Sequence, residues 1–189
     1  KPLLIKNAHP NIGGFATAQD LKELAFDESF ETRIVYNDDY KNFEIKQGPL
    51  EESDFNERKW TYACHSLNTL DKNFFDLEKT VNFIPTFMFD DVMATYSNAD
   101  ATIGAHIDKY NVFILQGSGT RCWELEQNPK EYYIEGLPLK ILKEFNPDIK
   151  WILEPGDMIY IPSGTAHRGT SITESISYSI GFKSLSPTA

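Results

Sequence analysis

The pattern of apolar and polar positions changes character near residue 83 of this 189-residue chain. Before that point it mixes periods. The apolar run in "KPLLI" predicts a short opening strand, and the "HPNIGG" that follows is loop chemistry. Thr17 stands before "AQDLKELAF" with Asp20 three residues on, and Leu21, Leu24 and Ala25 share one face, which predicts a helix opened by a capping box. "ETRIVYNDDYKNFEIKQGPL" reads as strand, Asn/Asp turn, strand, and so as a hairpin. Over 58–79 the apolar residues Trp60, Ala63, Cys64, Leu67, Leu70, Phe74 and Leu77 recur at helical spacing and predict a helix.

After residue 83 the pattern becomes short β-rich runs between turn residues: "TFMFDDVMATYS", "IGAHIDKY", "NVFILQGSG", "TRCWELE", "WILEPGDMIYIPSG" and "SISYSIGF". Closely spaced short strands predict a sandwich, jelly roll or barrel. A helix is predicted in their midst at "LPLKILKEF". No repeat, low-complexity tract or linker divides the chain. The expectation is therefore one domain over 1–189, mainly β, with an α+β N-terminal decoration over about 1–82 and a β core over about 83–183.

Composition adds little to the fold and something to the partner. With 41% hydrophobic and 24% charged residues, the chain is an ordinary globular sequence, far from the signature of disorder. The net charge of -10 argues against a direct nucleic-acid surface and suits a basic peptide or protein partner. Two cysteines, Cys64 and Cys122, make no disulfide framework, so free thiols and an intracellular, cytoplasmic location are expected. No apolar run approaches the ~20 residues that span a bilayer, and no membrane partner is expected.

The candidate chemistry lies in two segments. In "GAHIDKYNVF" a strand would place His106 and Asp108, two residues apart, on one face with Tyr110. A His-x-Asp tripeptide alone is weak. In "EPGDMIYIPSGTAHRG" a Pro-Gly turn, an apolar strand and a second turn at Pro162, Ser163 and Gly164 deliver His167 back towards the interior. Two histidines and a carboxylate on one triangular face are the ligand set of non-haem Fe(II) oxygenases, with three positions left for cosubstrate and O2. If the cosubstrate is a 2-oxo acid, its far carboxylate needs a deep cation. Arg121, at the start of a strand and on the same face as Trp123, is the candidate, since guanidinium grips carboxylate bidentately; a surface strand arginine is the competing reading. Ser97 could add a hydroxyl. His65 reads as a structural residue within a helical pattern, and His9 as an exposed loop residue.

The series "KPLLIKN", "FDDVMATYS", "HIDKYNVFILQGSGTRCWEL", "EPGDMIYIPSGTAHRG" and "SYSIGF" resembles the bacterial ribosomal oxygenases of the JmjC (cupin) family, which are protein-arginine 3-hydroxylases of large-subunit ribosomal protein sixteen. The resemblance runs through nearly the whole chain with the motifs in order. It implies a double-stranded β-helix (jelly roll) that binds Fe(II) through His106, Asp108 and His167, and binds 2-oxoglutarate through Arg121 with help from Ser97. It also implies a basic ribosomal protein as substrate. Members of that family are similar in carrying a C-terminal dimerisation region and a winged-helix-like domain, which this sequence lacks, so a homodimer is expected only where that region is present.

The implied reaction consumes 2-oxoglutarate and O2 and places a hydroxyl on an unactivated C–H bond. Asp91, Met93, Thr95 and Ser97 alternate along one strand. With Ser97 at the cosubstrate, Asp91 and Met93 would lie nearer the mouth, where Asp91, Met93, Tyr110 and Ser179 could take a guanidinium and its aliphatic stem; in the resembling family similar positions form the arginine pocket. A solvent-facing strand-end carboxylate is the plain alternative for Asp91. Two other functions remain open: a same-fold oxygenase acting on His, Asn or methyl-Lys, and a non-catalytic cupin-like binding module. A metal-dependent isomerase would want a fourth protein ligand, which the sequence does not offer.

Overall fold

The computed structural model describes residues 1–39, 42–70, 74, 76–137 and 139–183, excepting the side chain of Leu70. Twelve strands among these residues form two antiparallel sheets. They are β1 (Leu3–Ile5), β2 (Thr32–Tyr36), β3 (Glu44–Gln47), β4 (Trp60–Cys64), β5 (Phe89–Ser97), β6 (His106–Ile107), β7 (Asn111–Ser118), β8 (Arg121–Glu126), β9 (Ile149–Leu153), β10 (Met158–Ile161), β11 (Ala166–Ser171) and β12 (Ser175–Phe182). The larger sheet runs β1-β10-β7-β12-β5-β4-β2-β3 and the smaller β6-β11-β8-β9. This is the expected mainly β jelly roll.

The barrel closes because each inner strand face is apolar. Val112 and Ile114 of β7 and Ile159 and Ile161 of β10 meet Trp123 and Leu125 of β8 and Leu153 of β9 in one buried cluster between the sheets. On the other face of the larger sheet, Leu21 and Ala25 of helix α1 (Ala18–Phe26) pack with Ile34, Tyr62, Ala94 and Tyr178. The α1 capping box is present as the sequence predicts: Thr17 Oγ1 accepts from the Asp20 N–H, and Asp20 accepts from the Thr17 N–H. The hairpin is also present as β2 and β3, its residues 40 and 41 lying outside the described set. It extends the larger sheet through β4, which pairs with β5.

Among the described residues neither of two predicted helices runs through its segment. Over 58–79 the chain forms strand β4, the four-residue helix α2 (Leu67–Leu70) and a 3-10 turn at Leu77–Val81. Every residue of β4 is buried, so apolar side chains face both ways and the two-residue period that marks a strand disappears. The described residues of "LPLKILKEF", all but Pro138, are irregular. Its backbone reaches across a loop, Ile134 N–H to the Ile141 carbonyl and Lys143 N–H to the Tyr132 carbonyl, while Leu142 N–H donates to Ala105. Leu142 is buried beside Ala105 and Ala166, so the apolar pattern there anchors a loop. No helix among the described residues is long and apolar enough to cross a membrane.

Candidate metal centre and its two chambers

β6 and β11 pair antiparallel, with His106 directly opposite His167. Cross-strand partners bring their side chains close, and here the imidazole centroids are 4.3 Å apart. Each Nδ1 lies 3.1 Å from a carbonyl two residues back, Gly104 for His106 and Thr165 for His167. A carbonyl only accepts, so Nδ1 carries the hydrogen in both rings and Nε2 presents its lone pair. The carboxylate of Asp108, just past the end of β6, comes within 3.5 Å of His167 Nε2. One ligand atom from each of the three residues falls within 4.8 Å of the others.

Local turns fix this arrangement. Gly104 has φ +89°, and a Cβ there would meet Phe43 and Ile141 at under 3 Å, so the bend into His106 requires glycine. The Gly164 N–H donates to the Asp108 carbonyl, which ties the turn before His167 to the other arm of the site. Burial, reinforced by His106 and opposed by Asp108, holds the His167 imidazole below its ordinary range and keeps it neutral. Two imidazoles with Nδ1 tied to carbonyls and a carboxylate fit a first-row divalent cation with open positions.

The three residues line an inner chamber together with Arg121, Trp123 and Ser179. Arg121 is 4% exposed. Its five N–H groups go to four hydroxyls: Thr95 (2.9 Å) and Ser177 (2.7 Å) at Nη1, Ser97 (3.0 Å) and Ser175 (3.0 Å) at Nη2, and Ser175 again at Nε (3.3 Å). Among the described residues no carboxylate pairs with it, and burial alone pushes its pKa down to about 10. Ser97 buttresses the guanidinium, passing its own proton to Thr61 Oγ1. The sequence reading put Thr95 on this face without a role and missed Ser175 and Ser177, although their signal was present: hydroxyls alternate in "TYS" and "SIS", and β5 and β12 pair Thr95 with Ser177 and Ser97 with Ser175.

Met93, Tyr110, His106 and Asp108 also face an outer chamber of about 190 Å³, closed by Arg33, His65 and Lys140 among others. Ser179 reaches the inner chamber only, and Tyr110 packs against the bare backbone of Gly181. Asp91 lines neither chamber. It accepts the Ser66 N–H at 2.6 Å and faces His65 Nδ1 at 3.2 Å, so it holds the residue that does line the outer one. His65 thus follows β4 rather than sitting in a helix, and its Nε2 is buried without a partner. His9 is half-buried rather than exposed. Arg33 was not anticipated: it is a β2 residue with nothing in its own segment to mark it, and only the fold brings it near Asp91, Asp108 and Tyr110. Cys64 and Cys122 are free.

Comparison with known proteins agrees with this geometry. Residues 76–188 match the family described as JmjC domain. The chain is 30% identical over 188 residues to a probable ribosomal oxygenase of Haemophilus influenzae, covering 97% of this chain and 46% of that protein. It is 29% identical over 185 residues to the ribosomal protein uL16 3-hydroxylase of Escherichia coli, covering 97% and 49%. The chain therefore spans about half the length of these relatives. It superposes on the crystal structure of E. coli ycfD with a TM-score of 0.90 at 28% identity, covering 99% of this chain and 50% of that one. The ycfD complex with cobalt and 2-oxoglutarate gives 0.85, also at 28% identity, with coverage of 99% and 49%.

Proposed function

This chain belongs to the JmjC domain family, and from that premise we propose that it is a 2-oxoglutarate-dependent hydroxylase acting on C3 of an arginine side chain in a large-subunit ribosomal protein. The observation that carries the reading is the placement of a buried, anion-less guanidinium, Arg121, in the same chamber as His106, Asp108 and His167. A buried cation surrounded by neutral hydroxyls invites a carboxylate, and the three ligands invite a metal.

His106 and His167 would hold Fe(II) through Nε2, and Asp108 through its carboxylate. Fe(II) bound there supplies a coupled oxidation: 2-oxoglutarate and O2 give succinate and CO2, while one oxygen atom is placed on an unactivated C–H bond. Arg121 supplies the positive charge for the far carboxylate of the cosubstrate, which would share its N–H groups with the hydroxyls, and Thr95, Ser97, Ser175 and Ser177 hold the planar guanidinium in one orientation. A hydroxyl accepts through its lone pairs and donates one hydrogen; that of Ser97 goes to Thr61, and Thr95 and Ser177 share a bond, so one hydroxyl of that pair keeps a hydrogen for the arriving carboxylate. Val112, Ile114 and the Trp123 ring exclude water from the path between.

In the outer chamber Met93 and Tyr110 form apolar walls for the substrate's aliphatic stem, and Ser179 offers a hydroxyl nearby. Asp91 acts through His65: with Nδ1–H turned to the carboxylate, Nε2 is left as an acceptor for a guanidinium N–H. The net charge of -10 favours a basic partner without a nucleic-acid surface, and a cytoplasmic location accompanies a ribosomal substrate. Arg33 favours a second reading, oxidation of a neutral His or Asn side chain, because a cation in the chamber wall disfavours a second cation.

The test is succinate formation with Fe(II), 2-oxoglutarate and purified uL16, followed by mass spectrometry of the protein, with His106→Ala as control. One added oxygen on an arginine, absent in the control, supports the proposal. Oxygen on histidine or asparagine moves the assignment to the second reading. Absence of succinate would reduce the domain to a binding module.

A further inference from the structure

Trp123 carries a feature that neither packing nor the proposed roles of its neighbours uses. It is 6% exposed, yet among the described residues its buried Nε1–H has no acceptor. Tryptophan N–H groups normally find a partner when buried; in this same protein Trp60 donates to the Asn56 carbonyl at 3.0 Å. Apolar packing would be served equally by phenylalanine, which brings no N–H to leave unpaired. The hydroxyls of Thr95, Ser97, Ser175 and Ser177 accept from Arg121.

The position of Trp123 says what is missing. Along β8 the buried residues are Arg121, Trp123 and Leu125, and they stand opposite Ser171, Gly169 and His167 of β11. Trp123 is thus the step between the guanidinium and a metal ligand, roughly 7 Å along the strand from each level. Its six-membered ring lies on Gly169, where a Cβ would come within 2.9 Å of it, so the ring is wedged and cannot swing away from the chamber it lines. A dicarboxylate stretched from Arg121 to the His106, Asp108 and His167 group must pass the indole.

We infer that the Trp123 indole N–H donates a hydrogen bond to an oxygen of the dicarboxylate held in the inner chamber, making Trp123 a third anchor for cosubstrate and for its succinate product. The inference rests on the 2-oxoglutarate reading given above.

The experiment uses protein labelled with ¹⁵N at the tryptophan indoles and loaded with redox-inert Zn(II). The Trp123 N–H resonance is assigned by its loss in Trp123→Phe, and 2-oxoglutarate or succinate is then added. The expected result is a downfield shift of that resonance with both ligands while the Trp60 resonance stays in place. Calorimetry should show Trp123→Phe binding 2-oxoglutarate about tenfold or more weakly, as for loss of a charge-assisted hydrogen bond. An unmoved Trp123 resonance at saturating 2-oxoglutarate, or unchanged affinity in Trp123→Phe, overturns the inference and leaves the 2-oxoglutarate reading standing. No binding of 2-oxoglutarate to the Zn(II)-loaded wild type overturns both.

Discussion

His106 and His167 face each other across β6 and β11 with their ring centroids 4.3 Å apart and both Nδ1–H groups tied to backbone carbonyls. Two lone pairs converging with a carboxylate are poorly stabilised until a cation joins them. Adding Mn(II) or Co(II) should therefore raise the melting temperature, and chelator should reverse it. A ligand at a hundred times its Kd adds about 2.7 kcal/mol of stability. Scanning fluorimetry of Asp108→Ala should show no metal-dependent rise; an undiminished rise would place the cation elsewhere.

Arg121 tests the cosubstrate site. Arg121→Lys keeps a charge but cannot serve four hydroxyls and a carboxylate from one planar fork. Its affinity for 2-oxoglutarate should fall by about 10- to 100-fold, the range for lost charge-assisted hydrogen bonds. Metal binding should be retained. Titration calorimetry with Zn(II)-loaded protein measures both, and wild-type affinity in the lysine variant would exclude Arg121 as the carboxylate partner.

Asp91 and His65 should behave as one unit at the mouth. Asp91→Ala is expected to abolish oxidation of an arginine substrate while 2-oxoglutarate affinity survives, and His65→Leu should reproduce the defect. The double variant should be no worse than either single one, as expected for residues sharing a function. Peptide oxidation by mass spectrometry, alongside calorimetry for 2-oxoglutarate, separates the two effects; undiminished oxidation in Asp91→Ala would remove this pair from recognition.

A pH-dependent contribution to stability is built into "EPGD". Asp157 is buried, accepts from the N–H groups of Asn7 and Glu154, and pairs with Lys6. These partners outweigh desolvation and hold its carboxyl below the ordinary carboxylate value. A depressed folded pKa stabilises the fold above the unfolded value and ceases to do so as pH falls through the folded value. Asp157→Asn should thus cost about 1–3 kcal/mol at pH 7, the range for buried polar groups left unpaired. The gap should narrow below about pH 4, the ordinary aspartate range. Denaturant melts at both pH values measure it; a constant gap would mean that the charge contributes nothing.

The parts of this protein that were legible in its sequence share a property: their signal is local. His106, Asp108 and His167 could be read because strand alternation and the turn at Pro162 to Gly164 operate over a few residues. α1 could be read because Thr17 and Asp20 are three apart. β4 was misread because burial on both faces erased its alternation, and the segment over 139–145 because apolar Ile141 and Leu142 were anchoring it rather than lining a helix. The hydroxyl cage was visible only as alternation whose purpose depends on the pairing of β5 with β12. Arg33 had no local signal; its place in the outer chamber arises from the order β5-β4-β2, which no short stretch encodes.

β6 contributes two residues to the edge of its sheet, and among the described residues it pairs with β11 alone. So short an edge relies on backbone bonds just outside its ladder, from Leu142 N–H to the Ala105 carbonyl and from Gly164 N–H to the Asp108 carbonyl. A cation clasped between the His106–Asp108 arm and His167 is in effect a cross-strand rivet. An ion held there would join the short β6 edge to β11 through side chains, where the ladder itself offers only two residue pairs.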